Sequence, residues 1–143
     1  MSRVKLQIRE LNLKELLSAY EVVSQLRVGL SYKEFEDLIY DMRHMEYKMF
    51  AIMDGEKVIT YAGANVQTNL YHKRHLYVFD FVTDEKYRGK KYGEMMLEYL
   101  SDYAKTCMCK NIVLSSGFAR EDAHRFYEKH KFEKVSYVFL KSV

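Results

Sequence analysis

The sequence predicts a mixed α/β domain with a largely antiparallel front half and a βαβ crossover behind it. Three observations carry that prediction. Two apolar runs, KMFAIMD and KVITYAGANVQT, meet at Asp54-Gly55. A further strand-like run, LYVFDFVT, leads directly into YRGKKYG and a segment of helical period. Helical and strand periods then alternate to the end of the chain, giving the order β-α-α-β-β-β-α-β-α-β.

VKLQIRE alternates apolar and polar residues at Val4, Leu6 and Ile8, as a half-buried strand does. From Asn12 to Arg27, apolar residues at Leu13, Leu16, Leu17, Tyr20, Val23 and Leu26 keep helical spacing. Ser31 and Glu34 form an S-x-x-E capping box, with Phe35, Leu38, Ile39 and Met42 on one face of the helix that follows. Asp54-Gly55 suits a tight hairpin because both residue types tolerate positive φ. LYHKRH reads as a loop and LYVFDFVT as the next strand. A helix is expected from about Gly93 to Cys107, burying Met96, Leu97, Leu100, Tyr103, Ala104 and Cys107. NIVLSS reads as a buried strand, REDAHRFYEKH as a short helix and FEKVSYVFLK as a last strand.

At 143 residues and 48% hydrophobic, the chain is long enough for one well-packed domain and too short for two ordinary ones, so residues 1–143 are read as a single domain. Its net charge of +3, from 23 basic against 20 acidic residues, is spread along the whole sequence and does not make the basic face that nucleic acid requires. No stretch reaches the roughly 18 apolar residues of a membrane span, and MSRVKLQIRE has no apolar leader segment. A cytoplasmic protein is expected. Cys107 and Cys109 are too close for an ordinary disulfide and lack the second pair of a zinc site, so both are read as free thiols and no metal is expected. His72 and His75 have metal-compatible spacing without a third ligand nearby, and read as part of a polar loop.

The chemistry concentrates at the junction after LYVFDFVT. A strand that turns into a helix exposes the helix's first N–H groups, which carry roughly half a positive charge and bind anions. Gly89 and Gly93 let backbone approach a phosphate, and Lys86, Arg88, Lys90 and Lys91 add charge. G-x-x-x-x-G-K-[ST] is absent and G-x-G-x-x-G is not met, so neither familiar nucleotide loop applies. A ligand bearing a pyrophosphate fits best. The plainer alternative makes both glycines turn and helix-start residues beside a solvated basic cluster.

Arg88-Gly89-Lys90-Lys91-Tyr92-Gly93, between strand and amphipathic helix, resembles the R/Q-x-x-G-x-G/A acetyl-CoA signature of the GNAT superfamily of N-acetyltransferases. AHRFYEKHKF, Ala123 to Phe132, is similar to that family's A-x-x-F-Y-E-K-x-G-F segment, and the order of elements agrees over essentially the whole chain. The sequence departs from the family at Lys91, where the first signature glycine usually stands, at Arg120, where many members have Asn, and at Lys131, in place of a glycine before Phe132. These departures bear on one backbone N–H contact, on the pantetheine contacts and on the shape of the turn after the last helix.

The resemblance implies a GNAT-type fold: a mostly antiparallel central sheet flanked by about four helices. It implies transfer of acetyl from acetyl-CoA to a primary amine, by direct attack in a ternary complex. CoA is expected on Phe81, Val82 and Thr83 at the strand end, on Arg88 to Gly93 (Arg88, Gly89, Lys90, Lys91, Tyr92, Gly93), and on Arg120 and His124. The reaction needs a base for the amine, a donor for the carbonyl oxygen and a proton for the thiolate. By analogy with the family, the N–H around Val82 polarises the carbonyl and Tyr127 protonates the thiolate; the alternative for Tyr127 is a core residue beside Ala123 and Phe126. His124 is a candidate relay. Asp80 alternates with Phe79 and Phe81 and shares a face with Val78 and Val82, where burial raises a carboxyl pKa towards a useful range. It is either the base or a structural hydrogen-bonding group.

Two other readings remain. An RNA-binding module needs aromatics alternating on a strand at the glycine motif, whereas here the glycines open a helix and Phe79 and Phe81 lie upstream. A non-catalytic acyl-CoA sensor of the same fold fits the motifs as well. In this family the acceptor pocket is built by the first two helices and TNLYHKRH, so Glu34, Glu36, Asp37 and Asp41 either hold a cationic amine or form a solvated helix face. A homodimer through edge strands or the C-terminal strand suits the fold.

Overall fold

The computed structural model describes residues 6–143; Val4, at the start of the first expected strand, lies outside them. The described part of residues 1–113 and residues 114–143 form two compact units. The first holds β1 (Leu6–Glu10), α1 (Leu16–Leu26), α2 (Tyr32–Met42), β2 (Lys48–Asp54), β3 (Lys57–Asn69), β4 (Lys73–Thr83) and α3 (Tyr92–Thr106). Strand β5 (Asn111–Leu114) comes at the boundary, and the second unit contains α4 (Glu121–Lys129). The sheet order is β1-β2-β3-β4-β5, with antiparallel pairing from β1 through β4.

Local chemistry sets most of these bounds. Ser31 Oγ accepts the Glu34 N–H at 3.1 Å and Glu34 reaches back to the Ser31 N–H, forming the expected capping box. A second capping box, Asn12 with Glu15, opens a 3₁₀ turn (Leu13–Glu15) before α1, so the expected long helix begins tighter than an α-helix. Asp54 pairs with Lys57 across a two-residue turn in which Gly55 has φ 60. The sheet is covered on both sides, and that is why β2 is a continuous apolar run. Met49, Ala51 and Met53 join the cluster of Leu16, Ala19, Val22 and Val23 of α1 and Phe35 and Ile39 of α2. Phe50 points the other way, against Tyr99 and Tyr103 of α3, at ring distances of 5.7 and 5.0 Å.

Two expectations need correction. LYHKRH is only partly loop, because β4 begins at Lys73 and takes in Arg74 and His75. FEKVSYVFLK forms no strand: residues 132–143 carry no regular secondary structure. Tyr137, Val138, Phe139 and Leu140 are exposed there, Phe139 at 92% and Leu140 at 94%. The alternation in this segment is real, but a strand also needs a neighbouring edge to pair with.

Candidate active site

At the middle of the sheet β3 and β4 fall out of step. Gly63 pairs with Asp80 and Ala64 with Val78, leaving Phe79 as an extra residue on β4. Such a bulge upsets the two-residue alternation. Phe79 and Asp80, expected on opposite faces, both turn to the α1/α2 side: Phe79 packs against that cluster, and the Asp80 carboxylate meets Tyr47 and Arg27.

Tyr47, just before β2, donates its hydroxyl hydrogen to Asp80 Oδ2 at 2.7 Å, and its oxygen lies 2.9 Å from the Tyr61 hydroxyl. The phenol reaches this position because residue 63 is glycine. A Cβ there would stand 1.6 Å from the Tyr47 oxygen. Burial above all, then Tyr61 and Asp80, raise the Tyr47 pKa well above its ordinary value. Burial raises Tyr61 too, against the lowering pull of its bond to Tyr47. Tyr47 therefore remains a protonated donor to Asp80 at neutral pH.

The other carboxylate oxygen is also engaged. Arg27, capping the C-terminus of α1, donates from Nε to Asp80 Oδ1 at 3.0 Å and from Nη2 to the Phe79 carbonyl at 2.8 Å. Gln25, two residues earlier, accepts the Glu85 N–H on Oε1 at 2.9 Å. The end of α1 is thus fastened to β4 and to the turn beyond it.

That turn begins at Asp84, which is buried, donates its N–H to the Ile59 carbonyl at 2.8 Å, accepts the Lys86 N–H at 3.0 Å and lies 3.2 Å from Lys57 Nζ. Burial by itself raises the Asp84 pKa, but the Lys86 bond and the Lys57 ammonium outweigh it and hold the carboxyl below its ordinary value. Arg88 donates from Nε back to the Thr83 carbonyl at 3.0 Å. The chain then passes through Gly89 (φ 78) and Lys91 (φ 69) into α3. Lys91 takes the left-handed conformation that glycine adopts freely. Gly93, the second glycine of the pair, lies inside the first turn of α3. Lys91 offers the helix no side-chain cap. The first-turn N–H groups of α3 are left for another acceptor, and Lys90 Nζ lies 5.9 Å from the centre of the Tyr87 ring.

In the second unit, Arg120 is the N-cap of α4, His124 lies one turn on with Nε2 2.9 Å from the Gly117 carbonyl, and Tyr127 is the buried residue of the helix. The helix closes with Phe132 N–H on the Tyr127 carbonyl at 3.0 Å and Lys131 N–H on the Glu128 carbonyl at 3.1 Å. This is the Schellman arrangement, with Lys131 left-handed at φ 71 and the Phe132 and Tyr127 rings 5.5 Å apart. The turn forms with lysine where the family places glycine.

Sequence reasoning singled out Asp80, the basic turn and Tyr127 as candidates and passed over Tyr47, Arg27 and Gly63, which surround Asp80. Gly63 carried a signal, since glycine inside a strand marks a bulge or a close approach. Three of the α2 carboxylates are occupied locally: Glu34 caps the helix, and Lys33 Nζ lies 3.0 Å from Asp37 and 3.8 Å from Glu36. His75 is fully buried in β4, with Nδ1 2.8 Å from the Lys73 carbonyl. No group of three metal-ligating side chains occurs among the described residues, and no helix among them is long and apolar enough to cross a membrane.

Residues 11–132 match the model of the acetyltransferase (GNAT) family. The chain is 34% identical over 132 residues to the uncharacterised N-acetyltransferase YhdJ of Bacillus subtilis, covering 91% of this chain and 93% of the relative. It is 24% identical to the aminoalkylphosphonate N-acetyltransferase of Salmonella typhimurium, covering 96% and 91%. Among solved structures, an aminoglycoside N-acetyltransferase in complex with CoA superimposes with a TM-score of 0.85 at 12% identity, covering 99% of this chain and 97% of that one.

Proposed function

This chain belongs to the acetyltransferase (GNAT) family and is an acetyl-CoA-dependent N-acetyltransferase, and from that premise we propose that it acetylates a primary amine of a small molecule or peptide by direct attack within a ternary complex. The observation that carries the proposal is the position of Asp80. Its carboxylate is 15% exposed, sits on the bulge of β4 and lies two residues before Val82. In this reading Asp80 takes a proton from the amine, the Val82 N–H polarises the thioester carbonyl and Tyr127 returns a proton to the departing thiolate. Phe81, Val82 and Thr83 hold the pantetheine end of CoA, and Arg88 to Gly93 with the open α3 N-terminus hold its pyrophosphate. Arg120 and His124 complete the CoA contacts.

The family match runs through both units, which supports reading residues 1–143 as one catalytic domain. Two free cysteines suit a reducing compartment and hence the cytoplasm. Aminoalkylphosphonates and aminoglycosides, named for the relatives, head the acceptors to be tried. The test is release of the CoA thiol from acetyl-CoA with each amine of such a panel, alongside thermal unfolding with CoA and with ATP. Ligand at a hundred times its dissociation constant stabilises a fold by about 2.7 kcal/mol. Amine-dependent thiol release with a CoA-specific rise in melting temperature supports the reading. Stabilisation by CoA without turnover of any amine overturns it in favour of an acyl-CoA sensor.

A further inference from the structure

Both oxygens of the Asp80 carboxylate are taken, Oδ1 by Arg27 and Oδ2 by Tyr47. Each oxygen keeps lone pairs to spare, but an incoming ammonium that pairs with Oδ1 must compete there with the guanidinium. The two partners differ in how firmly they are held. Tyr47 is 8% exposed, bonded to Tyr61 and fitted over Gly63, where nothing larger than hydrogen leaves room for it. The Arg27 side chain is 48% exposed and extends from the C-terminus of α1, followed by exposed Val28 and by Gly29 at φ 91. An ion pair with one half-exposed partner holds weakly, whereas leaving a buried phenol unpaired is costly.

We propose that Arg27 is a displaceable counter-ion that closes Asp80 in the free enzyme, and that the acceptor's ammonium group binds by taking its place on Oδ1. The inference deepens the function proposed above and rests on Asp80 being the base. Primary amines are cations at neutral pH, so the exchange replaces one positive charge at Asp80 with another, and the half-buried carboxylate keeps a counter-charge throughout. A hydroxyl group or water brings no charge to offset the broken pair. Arg27 therefore selects amines over alcohols and water as well as covering the base.

Once seated, the ammonium gives one proton to Asp80 Oδ1, and the freed lone pair forms the N–C bond to the acetyl carbon. As the C–S bond breaks, the nitrogen sheds a second proton and the thiolate takes one up. Asp80 releases its own proton to solvent when Arg27 returns. The end of α1 does not come loose during the exchange, because Gln25 holds Glu85 independently.

The test compares wild type with Arg27→Gln, Arg27→Lys and Asp80→Asn, using propylamine as a bare primary amine. Arg27→Gln should lower KM for propylamine about fivefold, the scale of a weak ion pair. Arg27→Lys should fall between. An unchanged or raised KM, or a loss confined to kcat, overturns the proposal and makes Arg27 a positioning residue. Thermal unfolding supplies a readout free of turnover: on going from sodium chloride to methylguanidinium chloride at equal ionic strength, Arg27→Gln should lose less melting temperature than wild type. Equal responses of the two proteins overturn it. Asp80→Asn separates the two ideas. If that variant keeps wild-type kcat the base reading fails; if it is inactive while Arg27→Gln behaves as wild type, only the counter-ion role fails.

Discussion

Lys91 and Lys131 share one backbone conformation: φ is 69 at the first, where α3 begins, and 71 at the second, where α4 ends. For a residue with a Cβ the left-handed region costs about 1–2 kcal/mol. Glycine removes that cost and gives back about 0.5–1 kcal/mol through the greater freedom of the unfolded chain. Each of Lys91→Gly and Lys131→Gly should therefore stabilise the protein by about 0.5–1 kcal/mol, a rise of about 2–4 °C in melting temperature. Calorimetry of the two single variants checks this, and a fall in melting temperature for either refutes the account of that turn.

Gly63 should tolerate no side chain. An added Cβ 1.6 Å from the Tyr47 oxygen and 2.2 Å from its Cζ forces the ring out of a buried, doubly bonded position. Gly63→Ala is expected to cost about 3 kcal/mol by urea unfolding. Adding Tyr47→Ala removes the clash, so the double variant should lose less than the sum of the single losses.

Asp84 makes stability depend on acid. Its folded pKa lies below the unfolded value of about 3.9, so the stability it contributes is present above that value and is lost as pH falls through the lower folded pKa. Asp84→Asn should cost about 1–3 kcal/mol at pH 7. The gap between wild type and variant in urea midpoint should close below about pH 4, and a gap constant from pH 7 to pH 3 would contradict the assignment.

Tyr127→Phe separates binding from chemistry. If the phenol protonates the thiolate, kcat should fall by about 10²–10⁴ with CoA affinity by calorimetry unchanged. A parallel loss of CoA affinity would make Tyr127 a packing residue instead.

What the sequence disclosed and what it withheld divide along a physical line. The Ser31 capping box, the Asp54-Gly55 turn, the α3 bounds and the basic turn were legible because each is decided within a few neighbouring residues. The surroundings of Asp80 were not, because Arg27, Tyr47, Gly63 and Asp80 come from an α1 terminus, a loop and two strands. Strict alternation also placed Phe79 and Asp80 on opposite faces, and the one-residue bulge overrode it. Lys91 read as altering one backbone N–H contact and Lys131 as altering the turn after the last helix, and both take the left-handed φ that glycine adopts freely. The sequence left the charges of α2 open between an amine-holding cluster and a solvated face; Lys33, at i,i+3 and i,i+4 from Glu36 and Asp37, is the local partner of those two.

The stretch after α4 has a consequence for the protein in concentrated solution. Tyr137, Val138, Phe139 and Leu140 stand in water as a short run of β-formers, the kind of segment that stacks with copies of itself. Lys134 and Lys141 bracket that run. In an in-register stack each lysine would meet its own copy about 4.8 Å away, and the repulsion opposes growth of the fibre. In such a stack, opposition to aggregation would rest on two lysines outside the catalytic proposal. Neutralising them, by mutation or by acetylation of the side-chain amines themselves, would lift the barrier.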